Sequence, residues 1–301
     1  MRPRPQTDAD QANPPKAWVV DIGGSHVMAA IVEYGAKPRV LDRSSSPIDT
    51  HGDGSTLLAT IADTLKPLAA DARRWTIALP GPFDYARGVG SFSGVAKFST
   101  LAGLDLRAEF SAMLGVAGDD VTFINDAIAY GIGEWSVSDT RPARFVCVTL
   151  GTGVGSAFLH HGHPVESGPE VPPHGWAHLL EIDGAPLEDA VSTRAIQRRY
   201  GQEAGRDVAV RDIAERARAG EQRASGVLEA SMVELGEALA PWIESFRATE
   251  VAVGGSMARS WDVLGPAFEG AIRRHNGAGV VVRPSRLFDD APLIGAAAQA
   301  A

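Results

Sequence analysis

A single cysteine, Cys147, stands among 301 residues, which excludes an internal disulfide and any cysteine-rich metal centre. It lies in the apolar run Arg-Phe-Val-Cys-Val-Thr-Leu at 144–150, where a buried, inert thiol is expected rather than a nucleophile. No stretch approaches the roughly 20 consecutive apolar residues that span a bilayer. The opening MRPRPQTDADQANPPKA lacks the apolar core of a signal peptide, and residues 1–17 read as a disordered leader. A basic run is missing too. The 28 Lys and Arg stand against 37 Asp and Glu for a net charge of −9, and pairs such as Arg198-Arg199 and Arg273-Arg274 read as solvated helix faces. That argues against nucleic acid as a partner and leaves small molecules, in a reducing, cytoplasmic setting. An anionic nucleotide would have to be held locally, by backbone amides and a metal ion, because no global positive field is available.

What is present is a globular composition, 45% hydrophobic and 22% charged, in a chain long enough for two domains. Apolar runs at 18–22, 27–34, 75–79, 121–124, 145–150, 156–159 and 250–253 are expected strands, several closed by glycine or proline. A helix is expected at 52–70, where Leu57, Leu58, Ile61, Leu65 and Leu68 share a face. Others are expected at 127–135, 191–200, 208–219, 224–246, about 258–274 and 291–301. Val-Val-Asp-Ile-Gly-Gly-Ser at 19–25 and Val-Thr-Leu-Gly-Thr-Gly-Val at 148–154 form a weak repeat of strand, polar residue, glycine turn and strand. They lie about one domain length apart, which suggests two related α/β lobes facing each other across a cleft.

Four segments carry chemistry. In Asp21-Ile22-Gly23-Gly24-Ser25 the glycines let phosphate oxygens approach backbone N–H groups, and Asp21 can reach a magnesium ion directly or through water. A plain hairpin with a surface aspartate is the competing reading. Leu150-Gly151-Thr152-Gly153-Val154-Gly155 is richer. Its alternating glycines would suit a dinucleotide, and so an NAD-dependent oxidoreductase, only if a helix followed. Ser156-Ala157-Phe158-Leu159 is strand-like instead, so a phosphate-binding hairpin is expected, with the hydroxyls of Thr149 and Thr152 donating. Asn125-Asp126 follows an expected strand and precedes an expected helix, where α/β sheets expose catalytic groups. Asp126 can accept a hydroxyl proton there during phosphoryl transfer, or can be a helix N-cap. Gly254-Gly255-Ser256 closes a strand before a helix, either as a tight structural turn or as a place where a flat ring or phosphate meets backbone. His160, His161, His163, His174 and His178 match no zinc spacing and read as loop histidines.

As an ordered set, with Leu-Pro-Gly-Pro at 79–82 and Leu-Ile-Gly-Ala at 293–296, these motifs resemble the ROK family of sugar kinases, of the actin/hexokinase/Hsp70-like superfamily. The resemblance covers nearly the whole chain after Trp18. It implies two ribonuclease-H-like α/β lobes, the actin-like ATPase fold, with the active site in the interlobe cleft. The small lobe would span 18–125, joined by a C-terminal helix at about 288–301, and the large lobe 126–287. It also implies an ATP- and magnesium-dependent kinase acting on a primary hydroxyl of a hexose or a cyclitol, similar to glucokinases and polyphosphate/ATP glucokinases. A homodimer is compatible with it.

By the same resemblance Asp126 is the catalytic base, and Asn125, His178 and Glu188 are substrate ligands beside it. Asp21 serves the magnesium, Gly23, Gly24, Ser25, Thr149, Gly151, Thr152 and Gly153 the phosphates, and Gly254, Gly255 and Ser256 the adenosine side. Three departures stand out. Ile182-Asp183-Gly184-Ala185-Pro186 replaces the family's Cys-x-Cys zinc motif, so no structural zinc is expected. Gly175 replaces a glutamate three residues before His178, with Glu166 or Glu170 as its candidate substitutes. The sugar-binding asparagine near Pro-Asn-Leu gives way to Ser93-Gly94-Val95-Ala96-Lys97-Phe98. Two hydrogen-bonding positions for a hexose have changed, so the acceptor need not be glucose. A non-catalytic sugar sensor of the same fold is the other reading. Family repressors carry an N-terminal helical DNA-binding domain, for which the 17 residues before Trp18 are expected to be too few.

Overall fold

In the computed structural model, which describes residues 14–35, 37–92, 97–204 and 208–300, two five-stranded sheets share one design. The first contains β1 (Lys16–Ile22), β2 (His26–Glu33), β3 (Arg39–Pro47), β4 (Trp75–Leu79) and β5 (Val121–Asn125), in the order β3-β2-β1-β4-β5. The second contains β6 (Arg144–Leu150), β7 (Val154–His160), β8 (His163–Pro164), β9 (Glu250–Gly254) and β10 (Val281–Pro284), in the order β8-β7-β6-β9-β10. In each, the first three strands form an antiparallel meander and the last two run parallel to the first. The repeat noted in the sequence is therefore a repeat of topology, and the chain has the two-lobe actin-like fold.

Alternation along the strands decides which core each side chain enters. In β6, Phe145 and Cys147 face a central cluster, whereas Val146, Val148 and Leu150 face an outer one. Both faces are covered, which is why these strands read as continuous apolar runs. Cys147 is fully buried, and burial pushes its thiol pKa well up, as an inert core residue requires.

The central cluster lies between the sheets and is filled by α3 (Asp126–Ser136) and the last helix (Ala291–Gln299). Six helices cover the outer faces and the second lobe: α1 (Gly54–Leu65), α2 (Leu106–Leu114), α5 (Thr193–Ala204), α6 (Val210–Arg218), α7 (Gln222–Ser245) and α8 (Trp261–Asn276). A single turn, α4 (Glu188–Val191), precedes α5, and the C-terminal helix is thus α9. α3 and α9 cross backbone to backbone. A Cβ on Gly295 would overlap the carbonyl of Ala129, and one on Gly133 that of Ala291. Glycine at these two positions lets the helices, and with them the lobes, approach. At the far end of α3, the buried carboxylate of Glu134 accepts from Arg283 at 2.5 Å and from Ser285 Oγ at 2.6 Å, and Arg283 also reaches Glu250 at 2.7 Å. Paired and hydrogen-bonded in this way, the buried charges are tolerated.

Some boundaries differ from the sequence reading. β1 begins at Lys16, inside the expected leader, because Pro15 O accepts from Tyr34 N–H and prolongs the ladder; residues 1–13 lie outside the described residues. The helix expected from 52 starts at Gly54, where the Asp53 carboxylate caps Thr56 N–H, and tightens into a 3-10 turn at Lys66–Leu68. The helix expected from 258 is a 3-10 turn, Ser256–Ser260, before α8. No described helix is long and apolar enough to cross a membrane.

Candidate active site

The carboxyl ends of β1, β5, β6 and β9 converge where the lobes meet, bringing the sequence-derived residues to one cleft. The first hairpin turns through Gly23, Gly24 and Ser25 and is closed by Gly23 N–H donating to His26 O at 2.9 Å. The second turns through Gly151, Thr152 and Gly153, with Gly151 N–H donating to Gly153 O at 3.1 Å. They face each other: a Cβ on Gly24 would stand 3.5 Å from Thr152 Oγ1. Thr193, at the start of α5, anchors the second hairpin by donating both its N–H and its hydroxyl to Gly151 O, at 2.8 and 2.7 Å.

The alternating glycines do different jobs. Gly151 and Gly153 form the tip, with the Glu188 carboxylate packed behind Gly153 and accepting from Val154 N–H at 2.8 Å. Gly155 lies within β7, where a Cβ would overlap the Thr149 hydroxyl and come within 2.7 Å of Ala127 Cβ. It is there for close packing on α3, and Thr149 Oγ1 faces it rather than the tip. A strand, not a helix, follows these glycines, so the dinucleotide alternative fails. The third turn lies alongside, since Gly254 is in register with Thr149 on the neighbouring strand. Gly255 adopts φ 80°, and a Cβ there would overlap Leu150 O, a conformation and a space that only glycine fits. Its N–H donates to Tyr130 Oη at 3.2 Å, and that hydroxyl donates to Ser285 Oγ at 2.9 Å. A Cβ on Gly151 would come within 3.8 Å of Ser256 Oγ, so the second and third turns form one rim.

Asp126 is not the cap of its helix. Asn125 is: its Oδ1 accepts from Ile128 N–H at 3.1 Å, and its Nδ2 donates to Tyr85 Oη at 2.9 Å. Asp126 becomes the first helical residue, half-buried, its carboxylate accepting from Ala127 N–H at 2.9 Å. Burial raises its pKa, against the opposing pull of that N–H and of the Lys97 ammonium. Asp21, at the end of β1, is pushed up to about 7, first by burial and then by Asp126 and Asp289. A carboxylate so crowded by its own kind favours a cation beside it, and its oxygens suit magnesium. Among the described residues no three His, Cys, Asp or Glu converge to hold a metal by themselves, so phosphate oxygens and water would complete such a site.

On the opposite side, Glu188 lies near His178, whose ring stacks on Trp176 with centroids 5.4 Å apart. Packing lowers the His178 pKa despite one solvent-exposed face, and Glu188 opposes that shift. Gly175 has φ 70°, a conformation in which a glutamate would be strained. Of its two candidate substitutes, Glu170 is paired with Arg144 at 2.8 Å, whereas Glu166 faces Tyr85, whose phenol pKa is raised by burial first, then by Asp126, with a smaller part from Glu166. Of the segment 93–98, which lacks the expected asparagine, residues 93–96 lie outside the described residues, and Lys97 was not singled out from the sequence. Its Nζ donates to Thr152 Oγ1 at 2.7 Å, between the two hairpins. Tyr85 and Tyr130 carried no motif and were also missed, though each contacts a residue of the turns or of Asn125-Asp126. Two grooves of about 420 Å³ lie among the outer helices and along 166–174, and the second has Glu166 in its lining.

A model of the ROK family matches residues 18–301. The chain belongs to the ROK family. Among curated ROK-like relatives, it is 27% identical to the polyphosphate glucokinase of Mycobacterium tuberculosis over 176 residues, which is 58% of this chain and 62% of that protein. It therefore spans less than two thirds of that relative. With the glucokinase of Thermotoga maritima it shares 26% identity over 92% of this chain and 95% of the relative. Among solved structures, a ROK family glucokinase from Streptomyces griseus, in complex with glucose and AMPPNP, superposes with a TM-score of 0.78. It covers 95% of this chain and 99% of that one at 20% identity, a likeness that shows the shared fold.

Proposed function

We propose that this ROK protein transfers a phosphoryl group from ATP to a primary hydroxyl of a hexose or hexose-like acceptor. The observation that carries this reading is the carboxylate of Asp126, released from capping by Asn125 and set in the cleft beside two glycine hairpins. The names of the glucokinase relatives support it. In this account the acceptor hydroxyl donates its proton to Asp126, whose pKa, raised by burial, makes it a stronger base than a solvated aspartate. Backbone N–H groups of both hairpins hold the donor phosphates, and the 254–256 turn receives the adenosine. Asn125, His178 and Glu188, with Glu166 in place of the missing glutamate, orient the acceptor. Asp21 would hold a magnesium ion, directly or through water, and that ion would supply charge neutralisation on the donor phosphates. We place the lobe boundary at the Asn125-Asp126 junction, so that closure excludes water from the reacting groups.

Gly175 in place of a glutamate, and a segment at 93–98 without the expected asparagine, favour an acceptor that differs from glucose, such as another hexose or a cyclitol. The test is ADP release with magnesium-ATP across a panel of hexoses, amino sugars and cyclitols. Acceptor-dependent release with at least one of them is expected. Binding of an acceptor by calorimetry without release from any would instead favour a sensor.

A further inference from the structure

We propose that Lys97 is a catalytic residue that hydrogen-bonds the phosphoryl group in flight, bridging the two hairpins from its side of the cleft. The inference rests on the kinase reading above and adds to it a group that no motif supplied. Three observations carry it.

The first is position. Lys97 Nζ donates to Thr152 Oγ1 in the second hairpin at 2.7 Å, and a Cβ on Gly24 in the first would lie 2.9 Å from the same nitrogen and 3.2 Å from Cε. The ammonium occupies the gap between the amides that grip phosphate, and glycine at position 24 leaves room for it.

The second is charge. Lys97 is half-buried, and among the described residues no carboxylate comes within 4.0 Å of its nitrogen. Burial lowers its pKa, with Arg194 adding a smaller repulsion against the attraction of Asp126 and Glu188. An ammonium taken from water without an ion pair is costly unless an anion arrives, and the anion that two facing glycine hairpins suit is phosphate.

The third is anchorage. Phe98, the next residue, is buried against Phe92 with ring centroids 5.5 Å apart and has φ 58°, uncommon for an aromatic residue. Its N–H donates to Thr50 O at 2.8 Å, while Thr50 Oγ1 donates to Gly24 O at 3.3 Å. One threonine thus fixes the lysine's backbone to the first hairpin, and a left-handed residue held by its surroundings is the kind of strain found at working sites.

In the step itself the acceptor oxygen forms a bond to the terminal phosphorus, and its proton goes to Asp126. The bond from that phosphorus to the bridging oxygen breaks, and its electron pair leaves on ADP. Lys97 keeps its proton throughout and donates to the non-bridging oxygens, where charge concentrates.

Calorimetry on Lys97→Met, with Lys97→Gln as a second variant should the first melt early, separates this role from the alternatives. With magnesium present, AMPPNP affinity should fall about 10-fold while ADP affinity stays within about 2-fold, since the charge-assisted hydrogen bond to the terminal phosphate is lost for AMPPNP alone, whereas the bond to Thr152 is lost whichever nucleotide binds. With an active acceptor, kcat should fall by about 10² or more at nearly constant acceptor KM, and Lys97→Arg should recover part of it. Equal losses for AMPPNP and ADP, no loss for either, or a rise in acceptor KM at unchanged kcat would each overturn the proposal. If wild-type protein phosphorylates no acceptor, the kinase reading fails, and the AMPPNP-to-ADP contrast still decides whether Lys97 meets the terminal phosphate.

Discussion

The two lobes repeat one backbone plan, β3-β2-β1-β4-β5 against β8-β7-β6-β9-β10, yet the residue before each glycine turn differs in kind. In the first lobe it is Asp21, crowded by two other carboxylates and without a hydrogen bond to its own among the described residues. In the second it is Thr149, whose hydroxyl packs on Gly155 at the base of α3. The duplicated fold supplies amides twice and a carboxylate at this paired strand position once. In the function proposed above, a donor carrying a cation would fit that asymmetry, with the metal beside the first turn and phosphate at the second.

Substitutions at these paired positions sharpen or break the contrast. Asp21→Asn should weaken magnesium-AMPPNP binding by about 10²-fold, from the loss of a carboxylate that the cation needs. The same side chain governs pH dependence. Its folded pKa, about 7, lies above the ordinary 3.8, so the folded protein holds this proton more tightly than the unfolded chain. Without metal or nucleotide its contribution to stability is complete below about pH 4 and is lost as pH rises to about 7. Thermal melts in chelator should therefore show Asp21→Asn gaining more over wild type at pH 8 than at pH 4, and wild-type affinity for magnesium-AMPPNP should climb with pH through about 7.

Gly295→Ala, at the crossing that both lobes share, should destabilise the fold by about 2 kcal/mol in urea titrations, because the methyl group has nowhere to go but the Ala129 carbonyl. An exposed glycine with open space around it, such as Gly226, should gain slightly from the same change through helix propensity. Thr149→Val should have the smallest effect, within about 3-fold on AMPPNP affinity, since it alters a hydroxyl turned toward Gly155. A loss matching that of Asp21→Asn would mean that the two turns are chemically equivalent after all.

Much of this was legible in the sequence, for reasons that can be named. Strands buried on both faces wrote themselves as apolar runs, and glycines at the close turns stood out by type. β3 did not, because Arg-Val-Leu-Asp-Arg-Ser-Ser-Ser-Pro is an edge strand with little apolar face. α2, nine residues long and amphipathic only at Leu106 and Phe110, gave too short a period to stand out. At the candidate site, Asp126 and the turns were singled out by motif, but which of Asn125 and Asp126 is left free depends on which of the two caps α3. Adjacency in sequence cannot decide that. Lys97 was hidden for another reason: what marks it is a hydrogen bond to Thr152, 55 residues away, and spacing along the chain carries no trace of such a contact.

Asp126→Asn tests the central claim most directly, with kcat measured by ADP release on the best acceptor and magnesium-AMPPNP affinity measured by calorimetry on the same preparation. The account predicts a kcat about 10³-fold lower with nucleotide affinity within about 3-fold of wild type. Near-normal turnover in that variant would contradict it.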